Sequence, residues 1–301
     1  MAQGQHLHWG AEALWEALSP LLPGLSVEVV ARVESTNTRL LERARQASGL
    51  RDAPVTRPGQ LLDGAGEPPS PLGRRAGDIQ PCLLVAEHQT RGRGRLGRDW
   101  QAAPGASLTF SLSLPLAPRD WSGFSLAVGV ALADALEPPL DGAVPRIGLK
   151  WPNDLWLVDA PGSGRKLGGV LIETLAVGTR RMCVVGAGLN VLPQDLDGLG
   201  SGYGCLAEVA PALDAPKALA CVAAPLVAAI QRFEREGFAP FAADYARRDL
   251  LRGHRVVTSG PDATEGVADG VDERGALRVR GDTLRLLSSG EVSVRLQDSA
   301  C

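Results

Sequence analysis

Residues 146–186 read RIGLKWPNDLWLVDAPGSGRKLGGVLIETLAVGTRRMCVVG and hold strand-like runs at Arg146 to Trp151, Asp154 to Val158, Gly168 to Thr174 and Met182 to Gly186. Just upstream, Phe124 to Leu136 is a helical run of small and apolar residues that stops at Pro138-Pro139. A helix followed by several strands predicts an α+β fold.

Working outward towards the N-terminus, Ser107 to Leu114 (SLTFSLSL) alternates apolar and polar residues, the pattern of a half-exposed strand. Cys82 to Ala86 (CLLVA) is a buried strand, and Val27 to Val33 another. Ser35-Thr36-Asn37 opens a helix whose apolar face is Leu40, Leu41 and Ala44, and Trp9 to Leu22 carries a helical stripe that ends at Pro23-Gly24. Between Gly49 and Pro81 there are six glycines and six prolines in 33 residues with little periodicity, which predicts a long surface loop or a disordered insertion. Towards the C-terminus, Lys217 to Gly237 and Pro240 to Asp249 are helical. Past His254 the chain is a run of short strands with turn signals at Asp272-Glu273-Arg274-Gly275, Gly281-Asp282 and Ser289-Gly290, the pattern of a small terminal β-barrel.

A chain of 301 residues that is 45% apolar and 22% charged has room for a sizeable core, which excludes whole-chain disorder and the collagen and coiled-coil classes. With 31 Lys plus Arg against 34 Asp plus Glu the net charge is -3, so any anion site must be local. The five cysteines are widely spaced, with no Cys-x-x-Cys pair, which fits a reduced cytosolic setting. No Lys or Arg precedes Arg32, so the start does not read as a secretory or transit peptide. The longest uncharged apolar run, Ala218 to Ile230, has 13 residues, against the roughly 20 that a membrane span needs. The expectation is a cytoplasmic protein with no membrane partner.

Local basicity lies in Arg91-Gly-Arg-Gly-Arg-Leu-Gly-Arg98, four arginines and three glycines in eight residues directly after a strand. Glycine lets backbone approach a ligand, and guanidinium forks orient phosphate or carboxylate oxygens. A solvated basic loop is the plain alternative, but interleaved glycines in a chain of negative charge favour an anion site. Its like charges repel until an anion arrives, so the loop is expected to be mobile without ligand. Gly92-x-Gly94-x-x-Gly97 matches the dinucleotide fingerprint, yet a strand rather than a helix follows, and the other kinase motifs are missing. Gly162-Ser-Gly-Arg-Lys166 lacks P-loop spacing, and Leu167 stands where Ser or Thr would hold magnesium.

Lys150-Trp-Pro-Asn-Asp154 places an amide and a carboxylate beyond a rigid step at the mouth of a strand. Asparagine can read a purine edge or ligate magnesium, and aspartate can hold magnesium directly. Arg165-Lys166-Leu-Gly-Gly169 presents a lysine beside two glycines that permit close approach. Together these groups are suited to activating a carboxylate on a nucleoside triphosphate, where electrostatic positioning supplies most of the rate.

Six motifs in order resemble the biotin–protein ligase family, in the form without an N-terminal DNA-binding domain, from Val33 to about Leu296 excepting the insertion. They are Glu34-Ser-Thr-Asn37; Ala86-Glu-His-Gln89 leading into Gly92-Arg-Gly-Arg95 and Gly97-Arg98-x-Trp100; Lys150 to Asp154; Arg165 to Gly169 with Glu173; Gly186-Ala-Gly-Leu-Asn190; and Ser289-Gly-Glu-Val292. The resemblance implies a mixed β-sheet flanked by helices over residues 1–252, with the insertion at about 45–81, and an SH3-like β-barrel over 253–301. It implies that biotin and ATP form biotinyl-5′-AMP and that the biotinyl group passes to a lysine of a biotin carboxyl carrier protein. Ser35, Thr36, Asn37, Gln89, Arg93, Gly94, Arg95 and Lys166 are then expected to bind biotin, and Lys166 and Arg93 to act in catalysis. Arg95, Arg98, Trp100, Asn153, Asp154 and Tyr203 are expected at the adenylate, with Asn153 and Asp154 near magnesium. No role is assigned to Glu173, and Gly186-Ala-Gly188 reads as close strand packing.

Each assignment has a plain rival: Ser35 or Thr36 as a helix cap, Trp100 and Trp151 as core. The first thirty residues are too few for a helix-turn-helix module, so no DNA partner is expected. A monomer and a homodimer are both open. The rival enzyme is a lipoate or octanoate ligase of the same superfamily. A nucleic-acid-binding regulator is the rival from another class, disfavoured by net charge and by the lack of an aromatic platform beside the arginines.

Overall fold

The computed structural model describes residues 7–48, 55–56, 80–139, 142–177, 180–194, 201–259, 263–288 and 294–296. The elements in chain order are α1 (Ala11–Leu18), β1 (Ser26–Val33), α2 (Thr36–Ser48), β2 (Val55–Thr56), β3 (Cys82–Gln89), β4 (Gly92–Arg93), β5 (Asp99–Trp100), β6 (Ser107–Leu116) and α3 (Phe124–Leu136). They continue with β7 (Ile147–Lys150), β8 (Asp154–Ala160), β9 (Ser163–Val177), β10 (Arg180–Asn190), α4 (Ala215–Glu236) and α5 (Ala242–Arg248). The chain closes with β11 (Arg255–Thr258), β12 (Glu265–Val271), β13 (Leu277–Arg280), β14 (Leu284–Leu287) and β15 (Val294–Leu296).

The main sheet runs β1-β3-β6-β10-β9-β8-β7. Only the β1–β3 pair in this path is parallel, so the sheet is mixed and the fold α+β, as the sequence predicts. The insertion is not all loop: Val55–Thr56 pairs antiparallel with Leu175 and Thr174 of β9, and its other residues 49–54 and 57–79 lie outside the described ones.

Two helical layers cover the sheet unequally. On one face α3, apolar around its circumference, is buried against β7 and β9 and against α4, with Leu132, Ala133, Leu226 and Ile230 among the fully enclosed side chains. On the other face α2 sets Leu40, Leu41 and Ala44 on Leu84, Leu175, Met182 and Val184. This second layer is short, and beyond it the sheet face is made of small and polar residues.

That polar face corrects the reading of Ser107 to Leu114. The strand β6 is central, between β3 and β10, and both of its faces are buried: Ser107, Thr109, Ser111 and Ser113 are each 4% exposed or less. Alternation here separates an apolar face from a polar buried one, not core from solvent.

The C-terminal strands form a second, antiparallel sheet in the order β14-β13-β12-β11-β15, whose path is open among the described residues. Val256, Ala268, Leu277, Val279 and Val294 join the same apolar cluster as α3 and α4. The Trp151 indole donates to the Gly275 carbonyl at 3.1 Å and Arg274 pairs with Asp120 at 2.8 Å, so this sheet is fastened to the turn after β7 and to the loop before α3. No helix among the described residues is long and apolar enough to cross a membrane. Cys82, Cys183 and Cys205 are buried free thiols and Cys221 an exposed one. The Ser289–Val292 motif and Cys301 lie outside the described residues.

Candidate active site

Where α2 leaves the sheet uncovered, a cavity of about 790 Å³ opens, walled by the β4–β5 hairpin, the β7–β8 turn, the start of β9, the 201–203 segment and β15. All the residues expected at the site line it: Ser35, Thr36, Asn37, Gln89, Arg93, Gly94, Arg95, Arg98, Trp100, Asn153, Asp154, Lys166 and Tyr203.

Its floor is a polar corner at the N-terminus of α2. Ser35 Oγ accepts from the Thr38 N–H at 3.4 Å, so Ser35 caps the helix. Gln89 Oε1 accepts from both the backbone N–H of Thr36 (2.7 Å) and its hydroxyl (3.1 Å). Ser111 Oγ lies 2.6 Å from Thr36 Oγ1 and 2.6 Å from Asn37 Oδ1. The Asn37 amide donates to the Leu171 carbonyl and to Glu173 Oε2, each at 3.1 Å. These side chains are 9% exposed or less, and such a network is rigid because every loss inside it leaves an unpaired polar group. Asn37 can lie flat on β10 only because residue 186 is glycine; a Cβ there would overlap its Oδ1 and stand 2.9 Å from its Cγ. Gly188 gives the same room to the Trp100 indole, whose Cε2 would stand 2.6 Å from a Cβ. The two glycines of Gly186-Ala-Gly188 therefore shape the cavity floor.

The arginine-rich loop forms a hairpin, β4 against β5, with Gly94 N–H donating to Arg98 O at 2.7 Å. A Cβ on Gly92 would collide with the Trp100 carbonyl, and Leu96 holds a left-handed φ of 57° at the tip. Two guanidiniums point inward on partners: Arg93 on Glu173 Oε1 (2.8 Å) and Thr38 Oγ1 (3.0 Å), and Arg95 on Asn153 Oδ1 (3.3 Å). These partners offset the mutual repulsion expected from the sequence.

Opposite lies the charged wall. Lys166 Nζ donates to Asp154 Oδ1 at 2.8 Å, and Gly169 lets the pair lie close to β9, since a Cβ there would stand 3.2 Å from that oxygen. Asn190 donates to the carbonyls of Lys166 (3.1 Å) and Gly204 (3.0 Å), clamping the lysine's backbone to the segment that carries Tyr203. Arg165 fastens the same segment, binding Asp159, Glu208 and the Tyr203 carbonyl. Asn153 is docked on Val170 through its amide and its carbonyl, and Ser125 of α3 holds the Pro152 carbonyl after a cis Trp151–Pro152 bond.

Lys150 joins this wall, a residue quoted in its motif but not expected at the site. Its Nζ sits 4.4 Å from the Trp156 ring centroid, a cation–π contact. Burial, above all, pulls its ammonium down to about 8; Lys166 and Arg98 act in the same sense and Asp154 opposes them. Ser111, Glu173 and Asn190 are other contributors left without a role by the motifs, and Gly186 and Gly188, read as close strand packing, make room for the Asn37 and Trp100 side chains. Ser111 carried no signal of its own, being one of four Ser and Thr residues that alternate with apolar ones along Ser107 to Leu114.

The family described as Biotin/lipoate A/B protein ligase family matches residues 79–190. The chain is 34% identical over 242 residues to the bifunctional ligase/repressor BirA of Salmonella typhimurium, covering 78% of this chain and 70% of that protein. It is 32% identical over 275 residues to the biotin–[acetyl-CoA-carboxylase] ligase of Mycobacterium tuberculosis, covering 88% of each. Its fold is similar to that of the biotin protein ligase of Aquifex aeolicus solved in complex with biotin and ATP, with a TM-score of 0.66 at 24% identity over 90% of this chain and 99% of that one. The polar corner, the arginine hairpin and the lysine–aspartate wall thus lie in a chain that belongs to the biotin–protein ligase family.

Proposed function

We propose that this chain activates biotin with ATP and transfers it to a lysine of a biotin carboxyl carrier domain. The observation that carries the reading is the convergence of the polar corner, the arginine hairpin and Lys166 on one cavity. A ureido group has two N–H donors and one carbonyl acceptor, and the corner built from Ser35, Thr36, Asn37 and Gln89 is rich in both partners. Its tail then runs past the backbone of Arg93, Gly94 and Arg95 and brings the carboxylate to Lys166.

In the first step a biotin carboxylate oxygen attacks the α-phosphorus of ATP, forming the acyl phosphate bond while pyrophosphate leaves. Charge grows on the phosphoryl oxygens, and Lys166, already oriented by Asp154, is preorganised to meet it. Arg95, Arg98 and Lys150 add positive charge around the triphosphate, and Trp100 and Tyr203 flank the adenosine. In the second step the deprotonated carrier amine attacks the acyl carbon, AMP departs with the bonding electrons, and the nitrogen gives up its remaining extra proton. Arg93 acts from the hairpin, through its backbone at the corner and through its guanidinium as described below.

Magnesium fits as the companion of ATP. The described residues contain no cluster of three or more acidic, His or Cys ligands, whereas Asn153 and Asp154 offer one amide oxygen and one carboxylate at the nucleotide end. That is the donor set an ion held chiefly by phosphates requires, and it would neutralise the leaving pyrophosphate. We place the boundary of the catalytic domain at residue 252; Gly253, with φ +83°, turns the chain into the C-terminal sheet.

The test is biotin-dependent pyrophosphate release from Mg·ATP, with lipoate and octanoate in parallel. Release with biotin alone is expected. Release only with lipoate or octanoate would overturn the assignment of the corner, and silence with all three would overturn the chemistry.

A further inference from the structure

Glu173 is 2% exposed and stands on β9 between Leu171 and Leu175, facing Val184 of β10. A carboxylate is a costly group to bury in such surroundings, where an apolar side chain would fill the strand more cheaply. Its two oxygens are divided between segments distant in sequence. Oε2 accepts from the Asn37 amide at 3.1 Å, and Oε1 accepts from the Arg93 guanidinium at 2.8 Å. Through Asn37 the contact continues to Ser111, Thr36 and Gln89; through Arg93 it reaches Thr38 and the hairpin. One buried side chain thus joins the floor of the cavity to the segment that covers it.

We infer that Glu173 is a positioning residue that couples the polar corner to the arginine hairpin, so that a ligand seated in the corner and closure of the hairpin stabilise each other. A ligand that tightens Asn37 also fixes the carboxylate that Arg93 holds, and a closed hairpin returns the same coupling to the ligand. That the ligand is biotin rests on the function proposed above; the link between Glu173 and the hairpin does not.

The test is Glu173→Gln. The amide has nearly the same size, but one of its two terminal atoms becomes an NH2 group facing a donor, either Asn37 Nδ2 or the Arg93 guanidinium, so one of the two contacts is lost. Hydrogen exchange of residues 91–100 is measured in the ligand-free chain, together with steady-state pyrophosphate release as a function of biotin. Loss of a charge-assisted bond is expected to speed hairpin exchange about 10- to 100-fold and to raise KM for biotin by a similar factor, with kcat changed less than about 3-fold. Exchange in β6 and β10 should be unchanged. Arg93→Gln cuts the same link from its partly exposed end, and the double variant should show no further loosening of the hairpin. Wild-type exchange and KM in Glu173→Gln would overturn the inference, as would a fall in kcat at unchanged KM. If Glu173→Gln does not fold, Arg93→Gln carries the hairpin-exchange measurement: faster exchange of residues 91–100 is expected, and wild-type exchange would overturn the inference. Should the wild-type protein release no pyrophosphate with biotin, the functional reading fails, and hairpin exchange alone decides the coupling.

Discussion

Gly186→Ala isolates the floor of the cavity. Gly186 has no left-handed φ, so alanine brings no backbone strain, and its cost is the space its methyl group needs. That space is taken by Asn37, whose Cγ and Nδ2 would stand 2.9 and 3.2 Å from the new carbon and whose Oδ1 would overlap it. Asn37 cannot swing away freely, because its hydrogen bonds to Ser111, Leu171 and Glu173 at 2.6, 3.1 and 3.1 Å hold it. Withdrawal by about 1 Å would stretch all three past hydrogen-bonding length. Two neutral bonds at about 1 kcal/mol each and one to a carboxylate at about 1.5–3 kcal/mol set a ceiling of about 5 kcal/mol; partial re-formation leaves about 3 kcal/mol. At roughly 2 °C per kcal/mol for a domain of this size, Tm should fall by about 6 °C. Biotin affinity, measured by isothermal titration calorimetry, should fall about 10- to 100-fold as the corner is displaced. Gly105→Ala is the control: with φ +77° and no atom within 4 Å it carries backbone strain alone and should leave biotin binding intact. In an Asn37→Ala background Gly186→Ala should cost nearly nothing more, since the group it collides with is gone. A Tm within about 1 °C of wild type with affinity changed less than about 2-fold would refute the steric argument, given the bond energies assumed.

Lys166→Ala should cut pyrophosphate release about 10²- to 10³-fold, the usual loss when a preorganised charge is removed from a transition state. Because the Lys166–Asp154 pair is partly exposed, at 30% and 21%, thermal unfolding should shift by no more than about 2 °C. Lys150 has its proton affinity lowered to about 8, so its charge is present below pH 7, half lost near 8 and largely lost by 9. KM for ATP should therefore climb as pH rises through 8, and a Lys150→Met variant, already without the charge, should show a flatter profile. The linkage has a matching sign: the folded chain holds this proton less tightly than the unfolded one, so Lys150 destabilises the fold below pH 8, and that penalty is relieved as pH rises from about 8 towards 10.5. A urea midpoint at pH 9.5 that shows no gain over Lys150→Met relative to pH 7 would contradict it.

The contacts of the site divide by how local their causes are. The alternation of apolar and turn residues placed β3, β8, β10 and α3 correctly, because strand and helix periods are properties of a short window. The arginine–glycine cluster and the Trp-Pro-Asn-Asp turn were legible for the same reason, since dense charge and glycine in a few residues have few other uses. The period of β6 could not say which polar face was buried, because that depends on whether another layer comes to lie over the strand, and only the packing of α2 and the hairpin answers it. Val55–Thr56 likewise joins β9 through backbone pairing, which leaves little mark on composition.

The sequence alone thus pointed to an α+β fold through its residue pattern and, through the resemblance of its motifs to the biotin–protein ligase family, implied the mixed sheet and the types of group expected at the site. It could not establish which groups meet. Glu173 finds Arg93 from 80 positions away and Asn37 from 136, Asn190 ties Lys166 to Gly204, and the Gly275 carbonyl of the C-terminal sheet holds Trp151 at the β7–β8 turn. Such contacts arise from sheet register and from layers closing over one another, long-range events whose energies are shared by residues that carry no common local pattern.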